Sequence, residues 1–414
     1  MKKYKIGVFG AGRGVDIAKD FMLLNCDIVA LCDNNKDRLE YGLRRLGDLP
    51  TYTDFDEFLN CGMDAVILAN NFHEHAPFTI KCFEKNIHVF GECISNSTMA
   101  EGVELYRSFK NTKSIYFLAE NYPQMVFNRE MQRICRTGTL GKFLYAEGEY
   151  NHPSNPEDTQ FTKDYNYHTK HWRNFSPRTY YITHSLGPIM YAVGAMPKTV
   201  TAFSAFAPDE EDIATASFVG DKAAIITTLN DDGSIYRVTG CGSFGSHHNS
   251  YRICGTNGQV ENLRGIDKIM LRYNAWQIPK GVEEVNLYDA KWNDPDEELI
   301  KKSGHNGADY ITARIFLECL EENRQPDFPF NLKGSIAMSS VAILAHRSVL
   351  DGGKPYAIPD FDNDDDCKLY ENDHLSPFYH SDGREPNIPC CSNTDFRPTQ
   401  AQIQKFKKIL NIKN

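Results

Sequence analysis

Gly10, Gly12 and Gly14 follow a short apolar run, Ile6 to Phe9, and Asp33 ends the next such run, 21 residues after Gly12. Glycine enters backbone angles closed to other residues and lets the main chain close on a pyrophosphate, and a helix opening near Gly14 would point free N–H groups at that anion. An acid at the end of the second strand is placed to accept from the ribose hydroxyls of an adenine dinucleotide, and it would repel a 2′-phosphate. The chemistry indicated is the binding of NAD in preference to NADP, with Gly10, Ala11, Gly12, Arg13, Gly14 and Asp33 around the cofactor. Gly14 stands one position before the usual third glycine of such a turn, which Val15 occupies, so the flanking elements must support the assignment.

A second pair with chemical meaning is Tyr181 and His184, spaced i, i+3 at the expected start of a helix opened by Thr183 or Ser185 and followed by Gly187-Pro188. That spacing puts both side chains on one helix face. Oxidation of a secondary alcohol needs a base for the hydroxyl proton, and the ordinary pKa of histidine lies nearest working pH. Ahead of the pair, residues 151–180 are polar and aromatic without a period, and a loop of that length inside a domain is usually functional. Within it, Trp172 and Arg173 offer a flat apolar platform beside a forked donor, which suits the C–H face and hydroxyls of a sugar. They read equally as an aromatic packed on its own loop with a surface arginine. Glu120 and Asn121 end a strand beside the expected cofactor, where they can touch its nicotinamide end or cap the next helix.

The elements that must position these residues alternate in the first 120 positions. Strand-like runs at Ile6 to Phe9, Ile28 to Leu31, Ala65 to Ala69, His88 to Phe90 and Ser114 to Ala119 are separated by helical patterns at 15–24, 38–46, 76–85 and 99–109. Such alternation predicts a parallel sheet covered on both faces, with ligands at the carboxyl ends of its strands. After Tyr122 one helix, Phe127 to Arg136, leads into consecutive strand-like runs at 143–150, 200–206, 214–219, 223–229, 236–241 and 251–254, with hairpin turns at Asp232-Gly233 and Asn257-Gly258. Helices are expected from Asp309 to Glu322 and from Ile336 to Leu350. The expected fold is therefore α/β: an N-terminal Rossmann dinucleotide-binding domain (1–122) and an α+β domain with a mostly antiparallel open sheet (123–361), which bears the substrate residues and an oligomer interface. A C-terminal extension (362–414) follows, wrapping the first domain or making a subunit contact.

The 414 residues are ample for two cores, and a net charge of −10 gives no electrostatic footprint for nucleic acid or an anionic membrane. Twelve cysteines occur with no C-x-x-C pair, which fits reduced thiols in a cytoplasmic protein. Met1-Lys2-Lys3 is followed by strand and glycine turn instead of the apolar stretch of a signal peptide, and no run of about 18 apolar residues occurs. No metal site is expected. His73 and His75 are i, i+2, which would face ligands apart on a helix, and the acidic run at Asp362, Asp364 and Asp366 lacks the glycine and glutamate of a calcium loop.

Several blocks, in order, resemble the Gfo/Idh/MocA family of sugar-acting oxidoreductases: the glycine turn, Asn70-Asn71-Phe72 to His75, Ile87 to Glu92, Gly138-Thr139-Leu140-Gly141, and Gly352-Gly353-Lys354-Pro355 leading to Ile358-Pro359-Asp360-Phe361. Ala119 to Tyr122, His171-Trp172-Arg173, Tyr181 to Pro188 and Gly304 to Asp309 are similar to the branch containing NAD-using α-N-acetylgalactosaminidases. The resemblance implies that Asn70, Asn71, Phe72, His75, Glu92 and Asn121 join the cofactor site. It also places His184, with Tyr181, at the nicotinamide, and Glu120, Tyr122, Trp172 and Arg173 near the substrate. One departure bears on the chemistry: most members carry Glu-Lys-Pro after the fourth strand, the lysine relaying a proton, whereas this chain reads Glu92-Cys93-Ile94. The leading expectation is hydride exchange between NAD and a ring hydroxyl of a sugar or glycoside. The alternatives are a glycosidase that retains NAD through a closed redox cycle, and a non-catalytic protein that senses NAD or sugar.

Overall fold

The computed structural model describes residues 2–266 and 268–411. Six short strands, β1 (Lys5–Phe9), β2 (Asp27–Cys32), β3 (Thr51–Tyr52), β4 (Ala65–Leu68), β5 (His88–Gly91) and β6 (Tyr116–Leu118), make a sheet in the order β3-β2-β1-β4-β5-β6. Every neighbouring pair is parallel. Helices Arg13–Leu23, Lys36–Leu46, His75–Glu84 and Met99–Phe109 form crossovers over its faces. The strands read as unbroken apolar runs because both faces are covered: Val8, Val66, Ile67, Leu68, Val89 and Phe117 are fully buried. Strand order reverses between β1 and β4, which opens a crevice at their carboxyl ends, where Gly10 and Asn70 lie.

The second sheet has nine strands: β7 (Phe143–Asn151), β8 (Pro197–Phe206), β9 (Asp221–Asn230), β10 (Ile235–Thr239), β11 (His248–Gly255), β12 (Gly258–Asn262), β13 (Lys268–Tyr273), β14 (Val285–Asp289) and β15 (Tyr356–Ala357). Their order is β14-β13-β12-β11-β7-β10-β9-β8-β15. All pairings are antiparallel except β7 with β10. Helices Thr183–Val193 and Leu332–Leu350 pack on one face. On the other, Phe203 pairs across from Ile225, and Leu229 from Ile235, and all four side chains are exposed. The hairpins at 231–234 and 256–257 stand where the turn dipeptides put them.

Three expectations need correction. Residues 214–219 are not a strand: β8 already occupies the place beside β9, and the segment bonds elsewhere, Phe218 N–H to the Asn174 carbonyl at 2.8 Å and the Phe218 carbonyl accepting from the Cys390 thiol at 3.4 Å. The loop at 151–180 is not wholly irregular, since it holds a helix at Thr159–Tyr165 capped by Asp158 and a 3-10 turn at Trp172–Asn174. Strands β12 to β14 were passed over because their alternation is broken by polar and charged residues such as Glu261 and Arg272.

The C-terminal extension lies along both sheets. Its helix Asp364–Tyr370, which the acidic run opens with Asn363 as cap, packs on Met99–Phe109, and Arg107 reaches Glu371 at 2.7 Å. Further on, Ser392 N–H donates to Asp221 and Gln402 to the Glu210 carbonyl. No described helix is long and apolar enough to cross a membrane, and all twelve cysteines are free thiols.

Candidate active site

The glycine turn is built for close approach. Gly10 has φ +101°, and a side chain there would strike the Ala69 backbone. Gly14 lets helix Arg13–Leu23 sit on β1, since a Cβ would stand 2.9 Å from Val8 Cγ1. That is the packing role of the missing third glycine, displaced by one residue. A Cβ on Gly12 would meet only the Arg38 guanidinium, at 3.4 Å, so its upper surface is open for a ligand. Asp33 holds the turn through the Ala11 N–H at 2.8 Å and also accepts from the Asn35 N–H at 2.8 Å. A partly exposed carboxylate so placed has lone pairs left for ribose hydroxyls.

The other strand ends carry buried polar atoms without partners among the described residues: Asn70 Oδ1, His75 Nε2 and Asn121 Oδ1. His75 Nδ1 lies 2.7 Å from the Ile94 carbonyl, which fixes the proton there and leaves Nε2 as an acceptor. Orphaned buried polar atoms call for a ligand or water, and Asn70 and Asn121 follow the carboxyl ends of β4 and β6, where a dinucleotide would lie.

Arg13 is engaged differently from a free phosphate ligand. Its Nε is 3.0 Å from Glu92, and its two terminal nitrogens grip Asp309 at 2.9 and 2.6 Å. Burial opposes the charge, but Glu92 and Asp309 outweigh it and raise the Arg13 pKa further. Asp309 also accepts from Asn121 at 2.6 Å and lies 2.9 Å from His305 Nδ1. Burial acts against its carboxylate too, yet His305 and Arg13 hold it well below the usual range. This cluster ties the glycine turn to the start of helix Ala308–Glu322.

His184 stands in the first turn of helix Thr183–Val193. Two glycines let that helix sit deep: a Cβ at Gly148 on β7 would strike the Ser185 carbonyl, and one at Gly187 would stand 2.8 Å from Glu120 Cγ. The helix begins at Thr183 as expected, but its cap is Ile182 with no side-chain bond, and the Ser185 hydroxyl donates back to the Ile182 carbonyl. Tyr181 precedes the helix, yet its hydroxyl lies 3.4 Å from His184 Nε2, so the pair meets without sharing a helical face.

On the opposite side of the ring, His184 Nδ1 is 2.9 and 3.0 Å from the two Glu120 oxygens. Glu120 is fully buried and also accepts from Tyr122 N–H at 3.0 Å and from the Cys93 thiol at 3.4 Å. Burial by itself would raise its pKa, but the imidazole opposite and the Tyr122 N–H lower it. Glu120 therefore lies behind His184 and does not face the cleft. Tyr122 stacks on the imidazole at 3.9 Å, and Tyr150 meets its edge at 5.0 Å. A carboxylate on Nδ1 fixes the proton there and leaves Nε2, beside Tyr181, as the accepting nitrogen. Cys93 is held as a neutral thiol, its pKa pushed well up by burial and by Glu120.

In front of Tyr181 a cleft of about 590 Å³ is lined by Tyr150, Trp172, Arg173, Tyr181 and His305 among others. Trp172 stacks on Phe72 at 4.8 Å, Phe72 on Tyr181 at 5.4 Å, and the Arg173 guanidinium lies 4.5 Å over the Trp172 ring. Phe72 therefore joins the aromatic wall between crevice and cleft. Tyr150 and Asp309 were not singled out from the sequence. Tyr150 carries no signal beyond sitting in a strand, whereas Asp309, in the first turn of a helix next to a glycine-rich block, was a findable acid whose partner Arg13 is 296 residues away.

Comparison with known proteins agrees with this architecture. Residues 4–120 match the family model for the Gfo/Idh/MocA oxidoreductases, NAD-binding Rossmann fold, and residues 209–366 match the glycosyl hydrolase 109 C-terminal domain. Glycosyl hydrolase family 109 protein 2 of Phocaeicola vulgatus is 24% identical over 396 residues, covering 86% of this chain and 94% of that protein. The protein of the same name from Akkermansia muciniphila is 24% identical over 87% of this chain and 82% of its own length. Among solved structures, levoglucosan dehydrogenase with NADH and levoglucosan superposes with a TM-score of 0.70 at 15% identity, covering 86% of this chain and all of that one. An oxidoreductase from Agrobacterium radiobacter, in complex with NAD+, L-tartaric acid and magnesium, gives 0.68 at 15% identity over 86% and 99%. These two likenesses concern the fold alone. With its crevice, its open nine-stranded sheet and both matched segments, the chain carries a Gfo/Idh/MocA-type NAD-binding Rossmann domain followed by a segment similar to the glycosyl hydrolase 109 C-terminal domain.

Proposed function

We propose that this protein oxidises a ring hydroxyl of a sugar or glycoside, with His184 taking the hydroxyl proton. The observation that carries this reading is the buried line Glu120–His184–Tyr181, which ends at a cleft walled by aromatic side chains. NAD, when bound, supplies the redox chemistry. Glu120 holds the imidazole in the tautomer whose Nε2 accepts, and it stabilises the imidazolium that forms. Tyr181 lies within reach of Nε2 to orient the reacting hydroxyl. Tyr122 and Tyr150 pack against the ring and keep water from it. Trp172 offers a flat face for the sugar C–H groups and Arg173 donors for its hydroxyls. Gly10, Ala11, Gly12, Gly14, Asp33, Asn70, His75 and Asn121 hold the dinucleotide, while Arg13 and Glu92 stiffen the turn from below. Asp33 favours NAD over NADP.

A second reading has one specific observation in its favour, the match of residues 209–366 to the glycosyl hydrolase 109 C-terminal domain. In it the oxidation is transient. The C–H beside the new ketone becomes acidic, the aglycone leaves by elimination, water adds, and the ketone is reduced again. The free thiols support a reducing, cytoplasmic setting, and the apolar outer sheet face around Phe203, Ile225, Leu229 and Ile235 supports self-association.

Two measurements test the reading together. A single turnover of protein and NAD with a panel of sugars and glycosides is followed at about 340 nm, and native mass spectrometry shows whether dinucleotide survives purification. Lasting absorbance with an exchanging cofactor supports net oxidation. Retained cofactor with aglycone release and no lasting absorbance supports the glycosidase. No absorbance change and no product with any member of the panel would overturn both and leave a sensing role.

A further inference from the structure

A cluster outside this site joins the first domain to the C-terminal extension. His73 and Glu74, just ahead of helix His75–Glu84, face His380 of the C-terminal extension; all three are more than nine-tenths buried, and one ligating atom from each lies within 4.8 Å of the others. The hydrogen bonds decide which atoms are free. His73 Nε2 is 2.8 Å from the Tyr379 carbonyl, which can only accept, so the ring proton sits on Nε2 and Nδ1 is a bare lone pair. That Nδ1 has no partner among the described residues. A carbonyl on the far nitrogen is how metal-ligating histidines are oriented. Phe378 packs on the ring at 4.7 Å and fixes its plane.

Glu74 accepts from Ser381 N–H at 2.5 Å and from Asn71 at 2.9 Å, which leaves further lone pairs on the carboxylate. His380 Nε2 is 2.9 Å from the Ser376 hydroxyl, and its Nδ1 faces the Arg384 guanidinium at 3.5 Å.

We propose that His73, Glu74 and His380 bind a divalent transition-metal ion of the zinc class, which clips the C-terminal extension onto the first domain. Two imidazoles and one carboxylate are a donor set for such ions and not for magnesium or calcium, which prefer all-oxygen sites. A tetrahedral ion needs ligand atoms about 3.4 Å apart, so from within 4.8 Å the widest pair closes by at most about 1.4 Å. The segment 374–385 is without helix or strand and allows that movement. Arg384 then withdraws from His380 toward Asp382, which its Nε already contacts at 2.8 Å. His73, His380 and Ser381 also line a cleft of about 730 Å³ that takes in Asn34, Asn35 and Asn71, so the clip sets one wall of the groove next to Asp33.

The test uses the full chain stripped with EDTA and titrated with zinc chloride by calorimetry and with cobalt chloride by visible absorption. The expected result is one equivalent bound at about micromolar affinity or tighter, with four-coordinate cobalt absorption that zinc displaces. Trypsin cleavage after Arg384 should slow when zinc is present. His73→Ala and His380→Ala should each weaken binding at least about tenfold. Because His380 lies on the extension, His380→Ala keeps the test decisive if His73→Ala folds poorly. Absence of saturable binding up to about 100 µM zinc would overturn the proposal. So would His380→Ala protein that binds as the parent does.

Discussion

The glycine turn at Gly10–Gly14 and the pocket around His184 are both polar sites in a buried crevice, yet they are held in opposite ways. The turn is local: β1, the glycines and the helix from Arg13 follow one another, and Asp33 closes it from one strand away. Its atoms point outward to a ligand, and side chains are kept away so that the backbone can act. The His184 pocket is assembled from afar. Glu120 and Tyr122 follow β6, Tyr150 lies on β7 and His184 on helix Thr183–Val193, and the imidazole is enclosed by rings and by a carboxylate that meets no solvent. The difference teaches that, in the proposed function, binding would depend on leaving main-chain donors bare, whereas proton transfer would depend on fixing one side chain from every side.

Removing the imidazole should break the comparison most sharply. His184→Ala is expected to lower single-turnover cofactor reduction by about 10²- to 10⁴-fold while dinucleotide affinity, read by calorimetry, stays unchanged. A variant that reduces cofactor at the parental rate across pH would move proton removal elsewhere.

Glu120→Gln should lower the same rate by about ten- to a hundredfold, because the amide no longer selects the tautomer. It also carries a stability signature. The Glu120 pKa is lowered in the fold, so its contribution is fully present above the ordinary glutamate value of 4.5 and is lost as pH falls through the lowered value. The parent should therefore be the more stable protein at pH 7, and the gap to Glu120→Gln should close below pH 4.5 in chemical denaturation. A gap that widens with acid would mean that Glu120 is not a paired carboxylate.

On the binding side, Asp33→Ala should cost about tenfold in NAD affinity, leave NADP affinity the same or improved, and so narrow the preference. Equal affinity of the parent for both dinucleotides would remove the ribose role. The smallest effect is expected at the position between the two regions: Cys93→Ala should keep turnover within about threefold, since the thiol stays neutral and only donates to Glu120. A loss of about a hundredfold with binding intact would put Cys93 in the proton path.

Much of this was legible from residue order. Gly10 and Gly12 before a helical pattern announced the turn, and the alternation of apolar runs announced the parallel sheet, because backbone geometry and burial on both faces leave local marks. Gly14 was legible as a glycine but not as the packing contact to Val8, which needs the strand and helix in place. In the second sheet the reading weakened. Residues 214–219 have the composition of a strand and found partners in the loop near Asn174 and in Cys390 of the extension, since strand pairing is decided by which edge is free.

The sequence by itself determined the nucleotide-binding class of the first domain, and it singled out His184 and Tyr181 as a candidate pair. Only the tertiary structure decided that Glu120 stands behind His184 instead of in the cleft, that Arg13 is held by Glu92 and Asp309, and that His73 meets His380 across the chain. The physical reason is common to all three. A turn or a helix face is fixed by bonds between residues a few positions apart, whereas a buried charge is satisfied by whichever partner the packed chain brings within about 3 Å, and that partner leaves no trace in the residues beside it.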